Sequence, residues 1–316
     1  MNHLKTVIHC TPLTVSSAIN RMTGTNVYFK MENQQKTGAF KIRGASFKVA
    51  RLSADEAAKG VITASAGNHA QGVALAASKR GIKAKVFVPV RTPDTKIEAT
   101  RNYGASIVLA GDSFDEAYEA ARKEQAATGM VFVHPFDDPE VMAGQGTIAL
   151  EMLEEQPYLD TLLVPVGGGG LISGVAVAAK NINPRIRVIG VQAQGAKSMY
   201  ELFHNLEPSF GKVATIAEGI AVKKPGTLAL SVIREYVDDI VTVSDHDIAS
   251  AIIYMLERKK TLIEGAGASA FAALLVHGRR LRTNHCGVIV SGGNMDISKV
   301  AEIQHLSSMN QMPYLA

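Results

Sequence analysis

This sequence predicts an α/β fold of open, mainly parallel twisted sheets flanked by helices, on three observations. Short runs rich in β-branched residues alternate with alanine-rich amphipathic stretches, and such alternation implies right-handed βαβ crossovers. Glycine-rich turns follow several of those runs, where open parallel sheets place their ligands. At 316 residues the chain exceeds the usual size of one core, so two domains, or one large unit with an insertion, are expected.

The strand runs begin with "VITA" (61–64), "AKVFVPV" (84–90), "SIVLA" (106–110) and "MVFVHP" (130–135). "TLLVPVG" (161–167), "RVIGVQA" (187–193) and "CGVIVSGG" (286–293) follow. They are largely apolar, as strands buried on both faces are. Helical patterns fill intervals at Asn68 to Arg80, Thr95 to Tyr103, Asp115 to Glu124 and Leu171 to Lys180.

Hydrophobic residues make up 47% and charged residues 20% of the chain, an ordinary globular balance that argues against disorder. The formal charge of +4 is spread without a basic footprint, so no nucleic-acid partner is expected. Cys10 and Cys286 lie far apart without metal-ligand spacing and read as reduced cytosolic thiols. No charged segment precedes an apolar stretch at the N-terminus, and no apolar run reaches about 18 residues, so a cytoplasmic protein without a membrane partner is expected.

Three glycine turns and one lysine carry candidate chemistry. In "VPVGGGGLISG" a strand runs through Gly167, Gly168, Gly169 and Gly170 into a helix. Backbone N–H groups can converge there at a helix N-terminus, which makes a phosphate cradle. The spacing is neither that of Walker A nor of a dinucleotide fingerprint. "ASAGNHAQG" (64–72) is a second strand-to-helix loop. It reads either as a simple N-cap by Ser65 or Asn68 or as a loop whose N–H groups hold an anionic substrate group. "VIVSGGN" (288–294) sets Ser291 on a third turn. "TGAFKIRGA" (37–45) places Lys41 at the first turn of a helix, where it is a solvated side chain or an amine made nucleophilic by burial.

A phosphate cup, an anion loop and a lysine together suit pyridoxal phosphate, which needs an amine for its aldehyde and a partner for its ring nitrogen. "ENQQKTGAFKIRGA", "SAGNHAQGVA", "AGQGTI", "VPVGGGGLISG", "REYVDDIVTVS", "LIEGAGA" and "SGGNMDIS" occur in that order. In these motifs, from about Thr11 to Val300, the chain resembles the pyridoxal-phosphate-dependent threonine/serine dehydratases of the tryptophan-synthase-β fold type. It is most similar to the single-domain catabolic type, with serine racemases as near relatives.

The resemblance implies two sheets with the cofactor in the cleft between a large lobe (1–39 and 141–316) and a small mobile lobe (40–140). It implies that Lys41 holds pyridoxal 5'-phosphate as a Schiff base and serves as general base, with Phe40 packed beside the ring. Asn68 would meet the cofactor's 3'-hydroxyl, Gly167 to Gly170 with the Leu171 N–H its phosphate, and Ser291 its ring nitrogen. Ser65 would join Lys41 as a catalytic residue, and Ser65, Ala66, Gly67, Asn68 and His69 would hold the substrate carboxylate. The implied reaction is β-elimination from L-threonine or L-serine to a 2-oxo acid and ammonia, by a homodimer or homotetramer acting on a small amino acid. The alternatives are a racemase, a dehydratase of another β-hydroxy amino acid, or a non-catalytic module binding a phosphorylated ligand.

The chain departs from the family pattern in places. Ala39 stands where serine is common. Gln194, Gly195, Ala196 and Lys197 follow "VIGVQA" where metal-binding relatives have carboxylates, so no metal is expected. The chain runs only a short way past "SGGNMDISKV", so no C-terminal regulatory domain is expected. His69 and His134 read as structural histidines, Asp238–Asp239 as a solvated approach to a strand, and Glu264 equally as a helix-start carboxylate or a pocket residue.

Overall fold

A computed structural model of the chain describes residue 4, residues 6–211 and residues 213–309. Ten strands make two sheets. They are β1 (Leu13–Val15), β2 (Asn26–Met31), β3 (Val61–Ala64), β4 (Ala84–Val88), β5 (Ser106–Leu109), β6 (Val131–Phe132), β7 (Thr161–Pro165), β8 (Arg187–Ala193), β9 (Asp239–Val243) and β10 (His285–Val290). The larger sheet has the order β1-β2-β10-β7-β8-β9 and the smaller β5-β4-β3-β6. All pairs are parallel except β1 with β2. The fold is α/β, as the strand–helix alternation requires.

Both faces of each sheet are covered, which explains the continuous apolar runs. In β3, Val61 enters one core cluster and Ile62 another. In β7, Leu162 and Val164 face one side while Leu163 faces the other. This is the two-residue alternation of a strand with no polar face. Two strands that the sequence pattern missed, β1 and β2, form one edge of the larger sheet. β2 carries Lys30 near its end, and that side chain is fully buried because Glu151 pairs it at 2.6 Å. β9 was legible only as an approach to a strand. Asp238, expected to be solvated there, accepts from the Val188 N–H at 2.7 Å and so starts β8 beside it.

The helices fall close to their expected places. Asn68–Arg80 has the expected limits. Asp94–Arg101, Phe114–Thr128 and Gly170–Ile182 differ by a few residues at their ends, and Ser113 starts the second with a capping box. Leu4 and Ile8, expected with the larger lobe, pack in the smaller sheet's core, as does Val141. Met142 packs onto the larger sheet, so the Pro139–Glu155 helix contributes to both cores.

That helix touches the Gly170–Ile182 helix at two glycines. A Cβ on Gly146 would lie 2.7 Å from the Gly174 carbonyl oxygen, and one on Gly174 only 1.9 Å from that of Met142. Gly174→Ala is therefore expected to lower stability by about 2 kcal/mol or more, since backbone must move. The check is a lower urea midpoint with an unchanged denaturant slope.

Candidate active site

The Lys41 segment is stitched to the end of β10. Ala39 bridges Gly292 across an isolated antiparallel pair, and the Phe40 N–H donates to the Ser291 carbonyl at 3.0 Å. The helix Lys41–Arg51 starts at that point. Lys41 is half-buried, and its Nζ donates to the Pro135 carbonyl at 2.8 Å. The Phe40 ring centroid lies 5.2 Å from Nζ, so this aromatic sits beside the amine. Burial lowers the pKa of Lys41 to about 8, and the Glu264 carboxylate opposes the shift without reversing it. The amine is not a solvated surface cation. Only its neutral form attacks an aldehyde, so capture of one by Lys41 should rise about tenfold per pH unit below that pKa and level off above it. A stopped-flow pH series on the cofactor-free protein checks this.

The glycine turn lies beside the same place. Gly169 has φ +102°, a left-handed conformation that favours glycine, and the helix behind it has no side-chain cap. A Cβ on Gly168 would meet the Phe136 ring at 2.4 Å, and one on Gly170 the Phe136 carbonyl at 2.6 Å. Phe136 therefore fills the space against the turn while its neighbour Pro135 holds the Lys41 amine. Sequence reasoning missed Phe136, because an aromatic after His-Pro looks like ordinary core.

The loop from Ser65 to His69 leads into the Asn68–Arg80 helix, which also lacks a side-chain cap. Ser65 Oγ accepts from the Gly67 N–H at 3.3 Å, outside the helix. The simple N-cap is therefore not formed, and an uncapped N-terminus favours an anion. Ala66 and Gly67 complete the turn. The His69 ring is tied to the Val133 carbonyl at 2.9 Å and burial holds its pKa down at about 3, which leaves it neutral. His134 Nδ1 accepts from the N–H groups of Phe136 at 3.2 Å and Asp137 at 2.8 Å. Both rings are thus tied to backbone groups of the chain.

Glu264 does not cap the helix that follows it. Its carboxylate accepts from Asn68 Nδ2 at 2.8 Å, and burial raises its pKa to about 7. Asn294, at the end of "VIVSGGN", donates to Asn68 Oδ1 at 2.8 Å and to the Thr37 carbonyl at 2.7 Å. Glu264 and Asn294, both distant in sequence, thus orient the Asn68 carboxamide. Asn294 was quoted in a motif but given no part, because its partners are distant in sequence. Ser291 is 2% exposed at the strand end.

The sequence pattern of a family described as pyridoxal-phosphate dependent enzyme matches residues 4–292. The chain belongs to this family. An L-threonine ammonia-lyase of Thermotoga maritima is 51% identical over 306 residues, covering 95% of this chain and 75% of that protein. The processed form of threonine deaminase isoform 2 from Solanum lycopersicum superposes with a TM-score of 0.93 at 38% identity, over 97% of this chain and 85% of that one. Maize serine racemase gives 0.91 at 38% identity, over 98% and 96%. The cofactor of this pyridoxal-phosphate-dependent enzyme is pyridoxal 5'-phosphate. The residues present fit it. A turn without Cβ atoms at an uncapped helix N-terminus suits a phosphate, and a desolvated amine beside an aromatic suits an aldehyde on a ring. Among the described residues no helix is long and apolar enough to cross a membrane.

Proposed function

We propose that the chain removes the β-hydroxyl and the amino group of L-threonine or L-serine, leaving a 2-oxo acid and ammonia. The observation that carries this reading is the desolvated Lys41 amine, with uncapped helix N-termini on the neighbouring loops. The named relatives support the substrate class. Pyridoxal phosphate, when bound, supplies an aldehyde for an amine and a conjugated ring that withdraws electrons from a substrate's Cα.

The chain's residues divide the remaining work. Lys41 Nζ would hold the cofactor, and the same amine would take the Cα proton of a bound substrate. The N–H groups of Gly167 to Leu171 hold the phosphate. Those of Ser65 to His69 hold the substrate carboxylate, and Asn68, fixed by Glu264 and Asn294, faces the cofactor's hydroxyl. Ser291 would offer the ring nitrogen a neutral hydroxyl. The part carrying the smaller sheet, about residues 40–140, closes the cleft against water. The ion pair of Lys96 with Glu218, 3.0 Å, already crosses between the two parts. We place the enzyme in the cytoplasm as a homodimer or homotetramer. The free thiols of Cys10 and Cys286 support the compartment, and native mass measurement decides the assembly.

The likeness to maize serine racemase supports a second reading, racemisation. Incubation with L- and D-β-hydroxy amino acids, following oxo acid, ammonia and chirality together, separates the two. Oxo acid and ammonia in equal amounts are expected from L-threonine or L-serine. Enantiomer in excess of oxo acid would favour the racemase, and neither product would leave a binding module.

A further inference from the structure

We propose that Arg43 is the positioning residue of Lys41: its guanidinium, forked across two carboxylates, fixes the lysine amine against the glycine cup. The proposal rests on the reading of Lys41 as the cofactor's lysine.

Arg43 follows Lys41 by two residues on the same helical turn, and its side chain is fully buried. Nε and Nη2 donate to the two oxygens of Glu32 at 2.7 and 2.8 Å. Nη1 and Nη2 donate to the two oxygens of Glu151, both at 2.7 Å. Nη1 also donates to Thr147 Oγ1 at 3.0 Å. These contacts engage all the N–H donors a guanidinium has. Lys30, equally buried, lies 2.6 Å from Glu151 and donates to the Thr11 carbonyl. The Thr11 hydroxyl closes the cluster onto Glu32, so two cations balance two carboxylates.

Such a cluster is a costly source of stability, because apolar side chains of like volume often hold a core as well or better. What a planar fork on two fixed carboxylates supplies is direction, which the point charge of a lysine lacks. The anchors sit where direction matters. Glu32 follows β2, whose neighbour β10 ends one residue before Ser291, the residue that holds Phe40. Thr147 and Glu151 lie on the Pro139–Glu155 helix, which meets at Gly146 the helix that starts at the glycine cup. The fork therefore ties the turn carrying Lys41 to both sides of the site. A misplacement of about 1 Å slows a reaction up to about 100-fold.

Two substitutions test this in cofactor-free protein. Arg43→Lys keeps the charge and loses the fork, and Thr147→Val removes one acceptor while all charges remain. Both leave untouched the groups that face the Lys41 amine, namely Glu264, His69 and His134. The readout is the rate of covalent capture of pyridoxal phosphate by Lys41 as a function of pH. Capture is expected to slow about tenfold or more in Arg43→Lys and about threefold in Thr147→Val, with the midpoint of the pH profile displaced upward. The remote Ile252→Ala variant, which also loses stability, should keep the parental rate and midpoint. The proposal is overturned if Arg43→Lys lowers the unfolding midpoint while capture rate and pH midpoint stay parental. If Arg43→Lys does not fold, Thr147→Val decides, and a parental rate there overturns it. A parent chain that captures no aldehyde at Lys41 sinks the underlying reading, and the proposal with it. Parental capture with unchanged variants sinks the proposal alone.

Discussion

Lys41→Ala is expected to abolish oxo-acid release, a loss of several orders of magnitude, in a protein that still folds. On the proposed reading one amine would both hold the cofactor and take the Cα proton, so its removal would delete two functions at once. The fold should survive because the amine is an unwelcome guest in its surroundings, as its lowered pKa records. The Pro135 carbonyl loses its hydrogen bond from Nζ, worth about 1 kcal/mol. Circular dichroism, cofactor absorbance and oxo-acid release, measured together, check the outcome. Substantial turnover without added amine contradicts the assignment of Lys41.

Ser291→Asp is expected to shift the course of the reaction more than its rate. In the proposed placement, a Ser291 hydroxyl at the ring nitrogen would leave the ring weakly electron-withdrawing, which would favour loss of the β-hydroxyl over reprotonation at Cα. A carboxylate in its place favours a protonated ring and a longer-lived negative charge on the substrate. Reprotonation then competes with elimination. A change of about 1.4 kcal/mol between the two barriers alters their ratio tenfold. Ser291 is almost fully enclosed, so the new charge would act at close range with little screening. The measurement is Cα–H exchange into heavy water against oxo-acid release. An unchanged ratio in a folded, cofactor-loaded variant removes Ser291 from control of the reaction course.

The parallel strands were legible because burial on both faces writes continuous apolar runs, as in "TLLVP" of β7. β2 was hidden for a physical reason. Lys30 interrupts its pattern, and only Glu151, far along the chain, makes that lysine an interior residue. The glycine turn and the Ser65 loop could be read from local residue types, since small residues at strand ends have few other uses. Their partners could not. Phe136 against Gly168, and Glu264 and Asn294 on Asn68, are contacts across long sequence separations. Glu264 shows the limit of local reading. Its place before a helix leaves a cap and a pocket residue equally open, and the fold turns its carboxylate towards Asn68.

The most direct measurement of the central claim is borohydride reduction of the cofactor-loaded protein, followed by tryptic mapping. Reduction makes the lysine–cofactor bond permanent, and a modified lysine is no longer cut by trypsin. The label is expected on one fragment, Thr37 to Arg43, uncut at Lys41, in proportion to lost activity. Label on any other lysine, or an unlabelled Lys41 in protein that has been inactivated, contradicts the account.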